Sequence, residues 1–166
     1  MPISDQGIDR ERFQLIPRVL IFLRRDASVL LIKGAPTKRL WANKYNGVGG
    51  HVEQSEDILT AARRELREET SLSADLWLCG TVIIETGQNP GICLFIFTGE
   101  YKAGQPRPSA EGSVEWVPLA KIPELLVVED LPVLLDRIVS MKRGEPPFSA
   151  RSFYDRQERL VVQFAD

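Results

Sequence analysis

The stretch GHVEQSEDILTAARRELREETSL, residues 50–72, decides the reading of this chain, together with the Gly47-Val48-Gly49 that leads into it. Ile58, Leu59, Ala62 and Leu66 recur at helical spacing, which predicts a helix from Ser55 to about Leu72. Ser55 is a plausible N-cap, and Glu56 and Asp57 would place negative charge in the first turn, where the helix dipole favours it. Glu65, Glu68 and Glu69 stand at i, i+3 and i+4, so their carboxylates share one face. Like charges at that spacing repel by roughly 0.2–0.5 kcal/mol per pair. A hard divalent cation is the natural partner for such clustered oxygens, and Arg64, four residues before Glu68, can hold one carboxylate in place. Acidic helix faces are also a common form of plain solvated surface. What sets this one apart is the glycine-rich turn Gly47–Gly50 that feeds it, where backbone can approach a metal or a phosphate closely.

Working outward, Arg18–Arg24 and Ser28–Lys33 are β-rich runs separated by Arg25-Asp26-Ala27, which suits a hairpin. Residues 34–47 are irregular, carry Lys38, Arg39 and Lys44, and expose Trp41; they read as a binding loop rather than a linker. Downstream, strands are expected around Leu76–Glu85, Ile92–Tyr101 and Ser113–Pro118, the first two joined by the turn-rich TGQNPG. A second helix is expected from about Leu131 to Lys142, with Pro132 tolerated in its first turn. Ser149–Phe164 alternates like a hairpin turning near Asp155–Gln157. Residues 1–13 read as a loose N-terminal arm and residues 14–166 as a single domain. The order of strands, helix, strands, helix, strands predicts an α+β fold, an α/β/α sandwich with a mixed sheet between helices.

Composition narrows the function classes. At 166 residues, 43% apolar and 27% charged, the chain is ordinary for one globular domain with a real core. A formal net charge of −2 gives no case for a nucleic-acid backbone or an anionic membrane as partner. Any phosphate must be held by local chemistry or a metal. No apolar run is long enough for a bilayer, and MPISDQGIDRERFQ lacks the apolar core of a signal peptide. Cys79 and Cys93 sit in apolar, strand-like surroundings and read as free thiols. A cytoplasmic location is the resulting expectation.

Residues 50–72 resemble the Nudix box, G-x5-E-x7-R-E-U-x-E-E-x-G-U with U aliphatic: Gly50, Glu56, Arg64, Glu65, Leu66, Glu68, Glu69 and Leu72 all fall in place. The one departure is Ser71, where the family has the glycine that ends the helix in a left-handed conformation. Serine there should cost roughly 1 kcal/mol or shift the helix end. The resemblance implies that Glu65, Glu68 and Glu69 bind Mg²⁺, or Mn²⁺ as the alternative, with the Gly49 carbonyl completing the site. It implies a structural salt bridge between Glu56 and Arg64, and a further catalytic glutamate from a later loop, Glu111 or alternatively Glu115. Which glutamate acts as general base stays open.

The box does not set the substrate. Tyr45-Asn46-Gly47-Val48-Gly49-Gly50 resembles the W-N-G-x-G-G turn of the MutT-like branch, the oxidised purine nucleoside triphosphate hydrolases, with tyrosine for the leading tryptophan; PFSARSFYDRQERLVV resembles that branch's closing hairpin. On that likeness Asn46 is the base-recognition candidate, Tyr45 or Trp41 packs against a ring, and Glu129 and Asp130 near the last helix are further candidates for reading the base. Asn46 could equally be a turn residue bonding its own backbone. Lys38, Arg39 and Lys44 are phosphate candidates or solvated loop residues, and His51 is a phosphate contact or a bystander. The implied activity is hydrolysis of a nucleoside triphosphate, such as 8-oxo-dGTP, to the monophosphate. Hydrolysis of ADP-ribose or a dinucleoside polyphosphate, and a non-catalytic ligand-sensing domain, are the alternatives. The chain is expected to work as a monomer or homodimer.

Overall fold

A computed structural model describes residue 7 and residues 9–165; residues 1–6 and 8 of the expected arm, and residue 166, lie outside the described residues. The elements in chain order are β1 (Leu15–Arg25), β2 (Ser28–Gly34), β3 (Tyr45–Asn46), β4 (Val48–His51), α1 (Ile58–Thr70), β5 (Trp77–Ile84), β6 (Gly91–Glu100) and β7 (Gly112–Pro118). A 3-10 helix at Leu119–Glu124 follows, then α2 (Leu131–Val139), β8 (Phe148–Tyr154) and β9 (Leu160–Phe164).

Among the described residues nine strands join in one mixed sheet along the path β3-β2-β1-β6-β5-β8-β9, with β4 on β1 and β7 on β2. β1 runs parallel to β6 and β5 parallel to β8, while β4 lies antiparallel to β1. Strand β1 is central and buried on both faces from Val19 to Leu23, which is why VLIFL reads as an unbroken apolar run. Its alternate side chains enter two cores. Val19, Ile21 and Leu23 pack with Ala61, Ala62 and Leu66 of α1, whereas Leu20 and Phe22 pack with Leu131, Leu134, Leu135 and Ile138 of α2. Each of these Val, Leu, Ile and Phe side chains contributes about 1.5–3 kcal/mol on burial. The two helices therefore cover opposite faces, and the fold is the expected α/β/α sandwich.

Element ends differ from expectation where several residues could serve as caps. α1 starts at Ile58, not Ser55: Asp57 is the N-cap, its Oδ1 accepting from Leu59 N at 2.8 Å and Thr60 N at 3.0 Å. Ser55 instead takes a left-handed φ of 73° in the preceding turn, and Glu56 lies outside the helix. At the other end Ser71 adopts φ 61°, ψ 13°, with its N–H on Arg67 O at 2.9 Å, so the serine takes up the strained position and the helix ends on schedule. α2 stops at Val139 rather than Lys142; the Ser140 hydroxyl donates to the Arg137 carbonyl at 3.0 Å, satisfying an end carbonyl. The β1–β2 turn is two residues, Asp26-Ala27, with Asp26 at φ 50°. At the end of the arm Asn89 Nδ2 donates to Arg12 O at 3.2 Å, and the Phe13 ring lies over Gly91. Cys79 and Cys93 are free thiols as expected, and burial pushes Cys79 up to about 12. Among the described residues no helix is long and apolar enough to cross a membrane.

Candidate active site

The corner between β4 and α1 is built on close approach. Gly49 lies opposite Leu20 and Gly50 opposite Val19 on β1. A Cβ on Gly49 would run into the Val19 carbonyl, and a Cβ on Gly50 into the Glu65 carboxylate. The Gly49 N–H donates to Glu69 Oε2 at 3.0 Å. Glu69 is only 7% exposed. Desolvation pushes its carboxyl up to about 7 against that N–H, and the charges of Glu65 and Glu111 add to the rise. Glu65 is raised as well, by burial first, with Arg64 opposing.

Arg64 ties the corner together. Its Nη2 donates to Glu56 Oε1 at 2.7 Å and to the His51 carbonyl at 3.0 Å, and its Nε to Glu56 Oε2 at 3.2 Å. Its Nη1 reaches Glu65 Oε1 at 2.8 Å and Glu68 Oε2 at 3.2 Å. The Arg64 bonds hold Glu56 below the ordinary carboxylate value. The donor set of Glu65, Glu68, Glu69 and the Gly49 carbonyl is all hard oxygen, which suits a small divalent cation. Among the described residues no three acidic side chains gather around one point, and Arg64 is paired with Glu65 and Glu68. A cation would take those two carboxylates from Arg64 and leave it on Glu56 and His51, both of which it already contacts. The residues fit the ion on these terms.

A cavity of about 920 Å³ runs from this corner across the sheet, a volume ordinary for a nucleotide-sized ligand. Its first part is lined by Glu65, Glu68, Glu69, Glu111, Lys38 and His51, and Lys44 lines the cavity as well. Its second part has apolar walls from Ile84, Ile92, Leu94, Val128 and Leu160, with Asn46, Glu129, Asp130, Ser152 and Tyr154 as polar groups. Lys38 pairs with Glu111, and the loops carrying them are joined by Ala35 N–H to Glu111 O at 3.0 Å. Asn46 Oδ1 accepts from Gly47 N at 2.8 Å, the turn bond weighed above, which leaves the amide NH₂ for a ligand. Tyr154 OH donates to Glu129 Oε2 at 2.7 Å. Burial raises the Asp130 carboxyl, and Glu129 adds to that. Trp41, 46% exposed, stands at the rim.

Three sequence candidates fall outside this cavity. Tyr45 is 7% exposed in the α2-side core and donates from its OH to Glu115 at 2.9 Å, so it packs against protein and not against a ligand. Glu115 is thereby engaged away from the cavity, and Glu111 is the loop glutamate that lines it. Arg39 is exposed and does not line it. Sequence reasoning missed Arg18, Ser152 and Tyr154, all cavity residues. Their faces become visible only once strand pairing is known.

Comparison with known proteins places the chain in a family. The NUDIX domain model matches residues 14–137. An oxidized purine nucleoside triphosphate hydrolase from Danio rerio is 36% identical over 106 residues, covering 63% of this chain and 67% of that protein. The protein of the same name from Mus musculus is 34% identical over the same length and shares. Among solved structures, a mutator MutT protein from Bacillus halodurans superposes with TM-score 0.74 at 20% identity, covering 90% of this chain and 97% of that one. A MutT protein from Methanosarcina mazei gives 0.66 at 24% identity, with 78% and 99% covered. These two likenesses speak to the fold alone. With the family model spanning most of the chain and the box residues assembled at one corner, this protein belongs to the Nudix hydrolase family.

Proposed function

We propose that the chain is a Mg²⁺-dependent pyrophosphohydrolase that cuts a purine nucleoside triphosphate, 8-oxo-dGTP or a close relative, to the nucleoside monophosphate. The observation that carries this reading is one continuous cavity joining the Glu65–Glu69 corner to an apolar pocket edged by Asn46, Glu129 and Asp130. The named activity of the two relatives supports the substrate class. Glu65, Glu68, Glu69 and the Gly49 carbonyl would hold the ion, with Mn²⁺ as a substitute. When bound, the ion offsets phosphate charge and makes a bound water more acidic.

The chain's own residues do the rest. Arg64, anchored on Glu56 and the His51 carbonyl, braces the β4–α1 corner so that the carboxylates it releases to the ion stay in register. Lys38 and Lys44 face the phosphates, and Lys38 can exchange Glu111 for a phosphate oxygen, freeing the Glu111 carboxylate to accept the water's proton. The Asn46 NH₂ donates to acceptors on the purine edge, while Glu129 and Asp130 accept from its N–H groups. Leu94, Ile92 and Ile84 take the ring face.

The test is turnover of a nucleotide panel with Mg²⁺ and with EDTA, identifying products. Mg²⁺-dependent release of monophosphate from a purine nucleoside triphosphate is expected. Untouched triphosphates alongside hydrolysed ADP-ribose or dinucleoside polyphosphate would replace this reading, and no turnover of any of them would favour a ligand-sensing role.

A further inference from the structure

Strand pairing lays out part of the cavity floor as two rows. His51 of β4, Arg18 of β1 and Leu94 of β6 stand side by side. In the next row Ile92 of β6, Ile84 of β5 and Ser152 of β8 are aligned. Directly paired residues project from the same face. The first row thus passes from the box corner to the apolar pocket, with a guanidinium at the changeover.

Arg18 is half-buried, and its Nε is enclosed without a hydrogen-bond partner. Carboxylates line the same cavity at both ends, Glu65 and Glu69 at one and Asp130 at the other. Among the described residues the bonds of Glu65 and Glu69 go to Arg64 and Gly49, not to Arg18. An enclosed N–H without an acceptor is costly, and the guanidinium fork is matched to planar anions and phosphate. An anionic ligand lying in the cavity would supply that acceptor.

We infer that Arg18 pairs with the phosphate attached to the ribose, and so recognises the nucleotide at the seam between its base and the bond that is cut. This rests on the nucleotide reading above. With the cleaved anhydride at the Glu65–Glu69 corner and the ring on Ile84, Ile92 and Leu94, only the ribose and its first phosphate span the floor between them. Of those two, the phosphate carries the charge. With water attacking the second phosphorus, the bond from that phosphorus to the oxygen bridging it to the first breaks, and pyrophosphate forms. The first phosphate departs with that oxygen as the nucleoside monophosphate, so Arg18 also offsets the charge that develops there.

Metal-free binding tests this without relying on turnover. Titration calorimetry would compare 8-oxo-dGMP with 8-oxo-2′-deoxyguanosine on the wild-type chain, Arg18→Leu and Arg18→Lys. Arg18→Leu should bind the monophosphate about 10- to 100-fold more weakly and the nucleoside with little change, with Arg18→Lys in between. The melting temperature of ligand-free Arg18→Leu should stay level or rise, since an enclosed unpartnered N–H is removed. Equal weakening of both ligands would make Arg18 a base or sugar contact, and unchanged affinity for both would remove it from the site; either overturns the inference. Should Arg18→Leu fail to fold, Arg18→Lys carries the same comparison. A wild-type chain that binds neither ligand while hydrolysing a different substrate class defeats the nucleotide reading itself, and the inference with it.

Discussion

The two ends of the cavity are made differently. The β4–α1 corner comes from one run of sequence, in which Gly49, Gly50, Glu56, Arg64, Glu65, Glu68 and Glu69 lie within 21 residues and meet through one turn and one helix face. The opposite end draws Asn46 from β3, Ile92 and Leu94 from β6, Glu129 and Asp130 from the entry to α2, and Ser152 and Tyr154 from β8. The first is held by local geometry, the second by the pairing of distant strands. Chemistry shared across a family is therefore written in a short segment, while substrate preference is spread across the fold and free to vary.

The sharpest break of this comparison is at Glu69. Glu69→Gln should lower kcat by about three orders of magnitude or more on every substrate, with the circular dichroism spectrum unchanged. A loss confined to some substrates would merge the two ends into one.

The same residue makes a stability prediction. Its folded carboxyl titrates at about 7 against an ordinary 4.5, so between those values the folded state binds more protons than the unfolded one. Metal-free stability should then fall as pH rises from about 4.5 to 7, by roughly 3 kcal/mol in all. Denaturant melts across that range would check it, and Glu69→Gln should flatten the slope. A slope that persists in the variant would place the titration elsewhere.

Gly50→Ala comes next. The new Cβ meets the Glu65 carboxylate, the far end of a side chain, so the backbone can stay and the carboxylate moves. Activity should drop about 100-fold through misplacement with little change in melting temperature; a large stability loss would show that the backbone yields instead. The smallest effect is at Ser71, held at φ 61°. Ser71→Gly should raise stability by up to about 1 kcal/mol without touching kcat, as chemical denaturation would report.

Legibility followed the same division. The helix, its acidic face and the Glu56–Arg64 brace were readable because their spacing is local. The start of α1 was not, since Ser55, Glu56 and Asp57 run together and only Asp57 has the backbone to cap. Tyr45 and Asn46 are neighbours in sequence, yet strand alternation sends the tyrosine into the core and leaves the asparagine lining the cavity. Arg18 opens the β-rich run expected at Arg18–Arg24 and carried no role there; only its pairing with His51 and Leu94 inside β1 places it on the floor.

The most direct test of the central claim, one cavity with separable chemistry and recognition, is the ratio of kcat/KM for 8-oxo-dGTP to that for dATP in Asp130→Ala. Asp130 makes no side-chain cap bond to α2, so the helix loses no cap when the carboxyl is removed. The ratio should change about 10- to 100-fold while the better substrate keeps a kcat near that of the wild-type chain. An unchanged ratio, or an equal loss on both substrates, would contradict the account.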